Sequence, residues 1–365
     1  MESSAEVVSF GASLLVPSVQ ELAKDTLSTL PPRYARPDQD PPIIKDIDSL
    51  PVVPVINIHL LISEEPAKDL ELERLHSACR EWGFFQIVNH GISNSLIEKI
   101  KSEVQYFFQL PSEEKKKLWQ RPDDHEGFGQ LFVVSEEQKL DWCDMFYITT
   151  LPINLRKHYL FEKLPHSLRE TLEIYSSELR KLALTILDQM AKALKMDAEE
   201  MRELFNDGVQ SMRLNYYPPC PQPDKAIGFT PHSDADALTI LLQLNDTQGL
   251  QIRKEGKWVP VKPLPNAFVV NIGDIMEIMS NGVYRSIEHR ATVSPTKERL
   301  SIATFYSSKL DAELGPAPSL IGPNNPAMFR RLLVEKYFKD FFAQKLSGKS
   351  YLDFIRVQNG EVNTP

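Results

Sequence analysis

Between residues 212 and 306 the chain breaks into short apolar runs divided by turn signals, and this texture restricts the fold more than any other feature. The runs are 212–217, 238–244, 250–253, 258–261, 268–272, 275–279, 284–290 and 300–306. Pro218-Pro219, Glu255-Gly256, Gly273-Asp274 and Asn281-Gly282 lie between them. Short strands at this spacing predict an all-β sandwich or double-stranded barrel.

The rest reads differently. Over 167–194, Leu168, Leu172, Tyr175, Leu179, Leu182, Ile186, Met190 and Leu194 recur at helical spacing and predict one long amphipathic helix. Further helices are expected at 70–82, 96–108 and from Ser112, and strands at 52–58 and 84–90. Residues 1–50 read as an arm, with Ser18 placed to cap a short helix and 31–42 as an extended linker. The chain thus divides into an arm (1–50), an N-terminal domain (51–165), a connecting helix region (166–207), a β core (208–310) and a helical tail (311–365).

Composition narrows the partners. With 41 basic and 50 acidic residues the formal charge is −9. That argues against nucleic acid or an anionic membrane as the main partner. No apolar run approaches the roughly 20 residues needed to span a bilayer, and the first residues lack the basic-then-apolar pattern of a secretory leader. Cys79, Cys143 and Cys220 are odd in number and widely spaced, which fits reduced thiols and not a disulfide framework or a zinc knuckle. The expectation is a cytoplasmic monomer.

His232 and Asp234 are two apart, so on an extended segment they point to one side. His289, on a later strand, can supply a third donor. Two imidazoles and one carboxylate on a single face are the facial triad of non-haem iron(II) oxygenases. The motif is weak alone: eight histidines and 50 acids give about one His-x-acid pair by chance. Arg299 and Ser301 strengthen it. They share a strand face, and a guanidinium with a hydroxyl can hold a carboxylate; an ion pair of Arg299 with Glu298 is the competing account. Upstream, Arg213, Asn215 and Tyr217 alternate with Met212 and Leu214, giving a polar face that needs a ligand if it turns inward and needs nothing if it meets water.

These residues resemble the plant 2-oxoglutarate- and iron(II)-dependent dioxygenases. The resemblance lies in His232-x-Asp234, His289, Arg299-x-Ser301, the run from Asn215 to Pro221, and the stretch from Trp82 to Gly91. Residues 16–23 and 140–142 are similar to the specialised-metabolism members, including alkaloid O-demethylases and flavonoid-oxidising enzymes. The resemblance implies an α+β fold with a mainly β core, a double-stranded β-helix (jelly roll) flanked by helices, with 51–165 as an N-terminal dioxygenase domain. It implies His232, Asp234 and His289 as ligands of Fe(II). It assigns Arg299 and Ser301, assisted by Tyr217 and Asn215, to 2-oxoglutarate, with O2 as second cosubstrate and ascorbate as reductant. The carboxylate at Asp234 argues against halogenation.

The reaction implied is oxidation of a small metabolite with release of succinate and CO2. The ligand residues do not distinguish hydroxylation from O-demethylation or desaturation, because one chemistry serves all. Phe305 shares strand parity with Arg299 and Ser301 and should face the site. Phe128 and Phe146 are candidate aromatic walls for a flat or polycyclic substrate, with core packing as the alternative for each. A hydrolytic zinc enzyme and a non-catalytic binding protein of the same fold remain as rivals. His90, in Asn89-His90-Gly91, reads as structural.

Overall fold

A computed structural model of the chain describes residues 13–24, 28–37, 39–40, 50–64, 66–122 and 124–357. The strands that build the core are β1 (Val55–Asn57), β2 (Phe84–Val88), β3 (Gly127–Gly129), β4 (Asp144–Leu151), β5 (Gln210–Tyr217), β6 (Phe229–His232), β7 (Leu238–Gln243), β8 (Leu250–Lys254), β9 (Lys257–Pro260), β10 (Phe268–Ile272), β11 (His289–Ala291) and β12 (Arg299–Tyr306). They form an eight-stranded sheet in the order β1-β2-β10-β7-β12-β5-β4-β3 and a four-stranded sheet in the order β6-β11-β8-β9. All neighbours are antiparallel except β1 and β2.

Strand alternation gives the large sheet two faces of different chemistry. Met212, Leu214, Ile240, Leu300 and Ile302 point outward and join the main core with Leu172, Tyr175, Leu179 and Ile186 of the helix His166–Leu194. Burying each such side chain stabilises the fold by roughly 1.5–3 kcal/mol. The opposite face carries Arg213, Asn215, Tyr217, Thr239, Asn271, Arg299 and Ser301, and it meets His232, Leu250 and His289 of the small sheet across a cavity. Two antiparallel sheets closed over a central cavity, with helices outside, make a jelly roll.

The short apolar run at 275–279 is a helix, Asp274–Met279, not a strand. All six of its residues are buried, so no periodicity distinguishes helix from strand there; Asp274 and Glu277 in its first turn suit a helix start. Within 284–290 only the last two residues are extended, opening β11. Strands β3, β4 and β6 escape the sequence pattern. The tail is only partly helical: Val334–Phe342 and Ser350–Ile355 follow a short pairing of Glu313–Leu314 with Leu332–Leu333.

The arm docks on the core. Ser18 caps Val19–Leu22 and donates to Asp144 Oδ2 at 2.5 Å, while the Val19 and Gln20 amides donate to the same carboxylate at 2.8 and 3.0 Å. Within the stretch expected as linker, Tyr34 is buried with its ring edge-on to Trp142; residues 38 and 41–42 of that stretch lie outside the described residues. The three cysteines are free and buried. Among the described residues no helix is long and apolar enough to cross a membrane.

Candidate metal centre

Strand β6 ends at His232 and β11 begins at His289, and the two residues are direct partners across the ladder. That register brings their imidazoles together with centroids 4.2 Å apart and ring planes tilted by 51°. Asp234 lies just past the end of β6. His232 Nδ1 meets the Thr230 carbonyl at 2.7 Å and His289 Nδ1 meets the Ile287 carbonyl at 3.1 Å. A carbonyl only accepts, so each Nδ1 carries the proton and each Nε2 presents a lone pair. Both Nε2 atoms face Asp234 Oδ1, at 3.3 and 3.5 Å. The other carboxylate oxygen is occupied: Thr239 Oγ1 donates to Oδ2 at 2.5 Å and Asn271 Nδ2 at 2.7 Å.

Burial pushes the Asp234 carboxyl up, but His289 and His232 outweigh it and hold the group well below the usual carboxylate range. Burial, then the neighbouring His232, lowers His289 to about 4, so His289 is neutral near pH 7. The two Nε2 atoms and the Asp234 carboxylate oxygen converge within 4.8 Å of one another. The donor set fits a divalent metal with open positions.

Along the cavity, Arg299 stands opposite Tyr217 and Ser301 opposite Asn215 in the β12–β5 ladder. Arg299 is 2% exposed; among the described residues it makes long contacts to Ser301 Oγ and Gln243 Oε1 (3.5 Å each), lies 5.1 Å from the centre of the Tyr217 ring, and leaves its Nε without a partner. Asn215 Oδ1 is also buried without a partner. Glu298 does not neutralise Arg299; its carboxylate accepts instead from the Tyr216 hydroxyl at 2.7 Å, on the other face of the sheet. A buried guanidinium without an acid is costly, and a carboxylate ligand such as that of 2-oxoglutarate meets the need. Two glycines make room. A Cβ at Gly249 would lie 2.8 Å from Arg299 Cδ, and one at Gly228 would lie 2.8 Å from the Tyr217 ring.

Next to the metal donors a small chamber of about 40 Å³ is walled by Tyr147, Phe229, Phe305, Phe132, Phe341 and Phe342, among others. Leu131, Phe132 and Leu346 separate it from an open mouth of about 950 Å³ between residues 130–141 and 344–350. Phe132 holds a positive φ of 65° and stacks on Phe342 at 5.4 Å with rings 4° from parallel. A bulky residue in that backbone region is uncommon and marks a place where surroundings impose the conformation.

Phe305 lines the chamber, but Phe128 and Phe146 do not. Phe146 pairs with Leu214 and Phe128, on the outer face, and the Phe146 and Phe128 rings pack with Phe107 at 5.2 and 6.3 Å. A one-residue step turns a side chain to the other face of a sheet, so Tyr147 is the wall that Phe146 was expected to be. His90 lies outside the site; its ring bonds the Asn266 carbonyl and rests on Phe268. Thr239 and Asn271 went unrecognised in the sequence; Asn271 is a lone polar residue in an apolar strand, a mark that singles it out, whereas Thr239 shares its strand with Gln243. Phe229, Phe132, Phe341 and Phe342 carry no such mark.

The sequence model of the 2OG-Fe(II) oxygenase superfamily matches residues 208–308, and that of the non-haem dioxygenase N-terminal region in morphine synthesis matches 53–167. Protein SRG1 of Arabidopsis thaliana is 56% identical over 95% of this chain and 98% of its own. Codeine O-demethylase of Papaver somniferum is 52% identical over 96% and 99%. An oxoglutarate-dependent flavonoid 7-O-demethylase of Ocimum basilicum is 50% identical over 97% and 95%. Among solved structures, JOX2 in complex with 2OG, Fe and JA superposes with a TM-score of 0.85 at 35% identity, covering 94% of this chain and 98% of that one.

Proposed function

The chain belongs to the 2OG-Fe(II) oxygenase superfamily and is an iron(II)- and 2-oxoglutarate-dependent dioxygenase; from that premise we propose that it hydroxylates or O-demethylates a small aromatic or polycyclic specialised metabolite of flavonoid or alkaloid type. The observation that carries this reading is an aromatic chamber beside His232 and Asp234, next to a cavity that joins the metal donors to a buried Arg299 with no acid partner among the described residues. The codeine and flavonoid O-demethylases among its relatives support the substrate class.

In this proposal His232 Nε2, His289 Nε2 and Asp234 Oδ1 hold the iron, and Arg299 with Ser301, Asn215 and Tyr217 holds the far carboxylate of 2-oxoglutarate. Bound together, iron and 2-oxoglutarate supply oxidising power from O2, with 2-oxoglutarate leaving as succinate and CO2. The chain contributes placement. The carbonyls of Thr230 and Ile287 fix the imidazole tautomers. Thr239 and Asn271 leave one oxygen of Asp234 free for the metal. The Phe and Tyr side chains around the chamber exclude water and lay a flat ring against the centre. Which carbon faces the metal decides between hydroxylation and O-demethylation: a hydroxylated O-methyl group is a hemiacetal that collapses to a free hydroxyl and formaldehyde.

Neither rival reading accounts for the site as well. A hydrolytic zinc enzyme has no use for an unpaired Arg299, and a simple binding protein has none for the convergent donors.

The test is mass spectrometry on methoxylated flavonoids, alkaloids and related phenolics with iron and 2-oxoglutarate. Loss of one methylene reports demethylation and gain of one oxygen reports hydroxylation. Asp234→Ala and His232→Ala should abolish substrate-coupled succinate release while leaving the far-ultraviolet circular dichroism intact. Undiminished turnover in both variants removes these residues from the centre.

A further inference from the structure

Glu277 is 0% exposed in the middle of the helix Asp274–Met279, and it lines neither the metal centre nor the cavities beside it. A carboxylate taken that far from water is costly unless donors meet it closely. Its Oε1 accepts from Arg356, and its Oε2 accepts from the Lys349 ammonium and the Ser286 amide, both at 2.7 Å. Lys349 also donates to the Ser286 carbonyl at 2.7 Å. The Glu277–Lys349 pair thus grips both backbone groups of Ser286.

The three segments that meet at this pair each lead to a metal donor. Ser286 precedes Ile287, whose carbonyl accepts from His289 Nδ1 at 3.1 Å. Lys349 follows Gly348, which runs beside His232 as a single bridge: the Gly348 amide donates to the Pro231 carbonyl at 3.2 Å, and its carbonyl accepts from the Ser233 amide at 3.3 Å. Gly348 holds a φ of 55°, the left-handed region that suits glycine, so the chain turns there. The helix that carries Glu277 starts against the third donor, with the Asp274 amide on the Asp234 carbonyl at 2.8 Å. Arg356 shares the carboxylate but leads elsewhere; its backbone pairs with Phe329, and its guanidinium lies 4.7 Å from the centre of that ring. A pair that only fastened the chain end would make the two cations equivalent, and this connectivity makes them unequal.

We propose that Glu277 and Lys349 are positioning residues for the metal centre: their ion pair fixes the backbone on which His232 and His289 stand, and so strengthens the hold on ferrous iron without touching it. This rests on the assignment of His232, Asp234 and His289 as iron donors and deepens it. Leu346, three residues before Lys349, walls the aromatic chamber, so one segment both lines the chamber and braces His232.

The experiment measures the ferrous affinity of the full chain without O2, in competition with a chromophoric chelator, alongside the urea midpoint. Partners that touch a metal ligand matter about 10–100-fold; one link further out, Lys349→Met should weaken iron binding by about five- to twentyfold. Lys349→Arg should regain part of that loss, and Glu277→Gln, which keeps an acceptor oxygen but loses the charge, should weaken iron binding in the same direction. Arg356→Met should lower the urea midpoint yet leave iron affinity within about twofold of wild type. At saturating iron and 2-oxoglutarate, the visible charge-transfer band of the bound pair should move in Lys349→Met and stay in place in Arg356→Met. Should Lys349→Met fail to fold, Glu277→Gln carries the same comparison with Arg356→Met. A Lys349→Met protein that binds iron as wild type does, an Arg356→Met protein that loses iron equally, or a band that moves in both or in neither overturns the proposal. An Asp234→Ala protein that holds iron as tightly as wild type sinks the donor assignment itself; a loss there with Lys349→Met unchanged sinks only the positioning role.

Discussion

Asp234 divides its two oxygens between different tasks, one toward the imidazoles and one toward Thr239 and Asn271. The sequence revealed the first task through the His-x-Asp spacing. It hid the second, because Thr239 and Asn271 come from neighbouring strands whose register is set by the whole sheet. The same dependence decides Phe128 and Phe146: β3 and β4 leave no mark in the sequence pattern, so the face on which these rings lie was not legible. Partners that orient a metal ligand usually matter 10–100-fold in affinity. Asn271→Ala should therefore raise the ferrous dissociation constant by about that factor, in competition with a chromophoric chelator, and Thr239→Val should act in the same direction. Equal affinity in both variants would show that Asp234 needs no orientation. Gly249→Ala has a separate readout. Its new methyl meets Arg299 and the Thr292 carbonyl, both at 2.8 Å, so it should weaken 2-oxoglutarate binding more than iron binding, as separate titrations will show.

At the scale of elements, the arm and the 130–141 loop are one unit. Leu14 donates to the Val133 carbonyl at 2.8 Å, Ser13 Oγ accepts from the Val133 amide at 3.1 Å, and Leu140 donates to the Arg33 carbonyl at 2.8 Å. Asp144 anchors the arm at its far side. Asp144→Ala leaves two backbone amides without their acceptor, which costs about 1–3 kcal/mol each when they stay buried. Urea denaturation should show a loss of that order, and limited proteolysis should open the arm and the 130–141 loop before the core. Cleavage first in the helix His166–Leu194 would contradict it. That helix was legible to within one residue at its start, because 29 residues of apolar stripe average out local ambiguity. The six-residue helix Asp274–Met279 was not, because a fully buried run has no polar face to set a period.

Over the whole molecule, buried neutral histidines make stability depend on pH. Burial, then the Lys157 charge, lowers His125 to about 4, and burial also lowers His90. The unfolded chain takes up these protons near the ordinary histidine value of about 6.5, before the folded chain does. Their contribution is thus fully present above that value and is lost as pH falls toward about 4 for His125. Buried Asp236 and Asp274, raised to about 8 and about 7, work in the opposite direction, so the histidine contribution is read as a difference: from pH 7 to about 4.5 the urea midpoint of the metal-free wild type should lose ground relative to His125→Gln. A difference indifferent to pH would remove His125 from the account.

The mouth of the chamber is made by residues 130–141 on one side and 344–350 on the other, while the metal donors and Arg299 fall between 232 and 299. Gly348 pairs with the His232 backbone, and Lys349 and Arg356 reach back to the buried Glu277 at 2.7 and 2.5 Å. The approach to the centre is consequently framed by two stretches of polypeptide, far apart in the chain, that hold none of its metal donors.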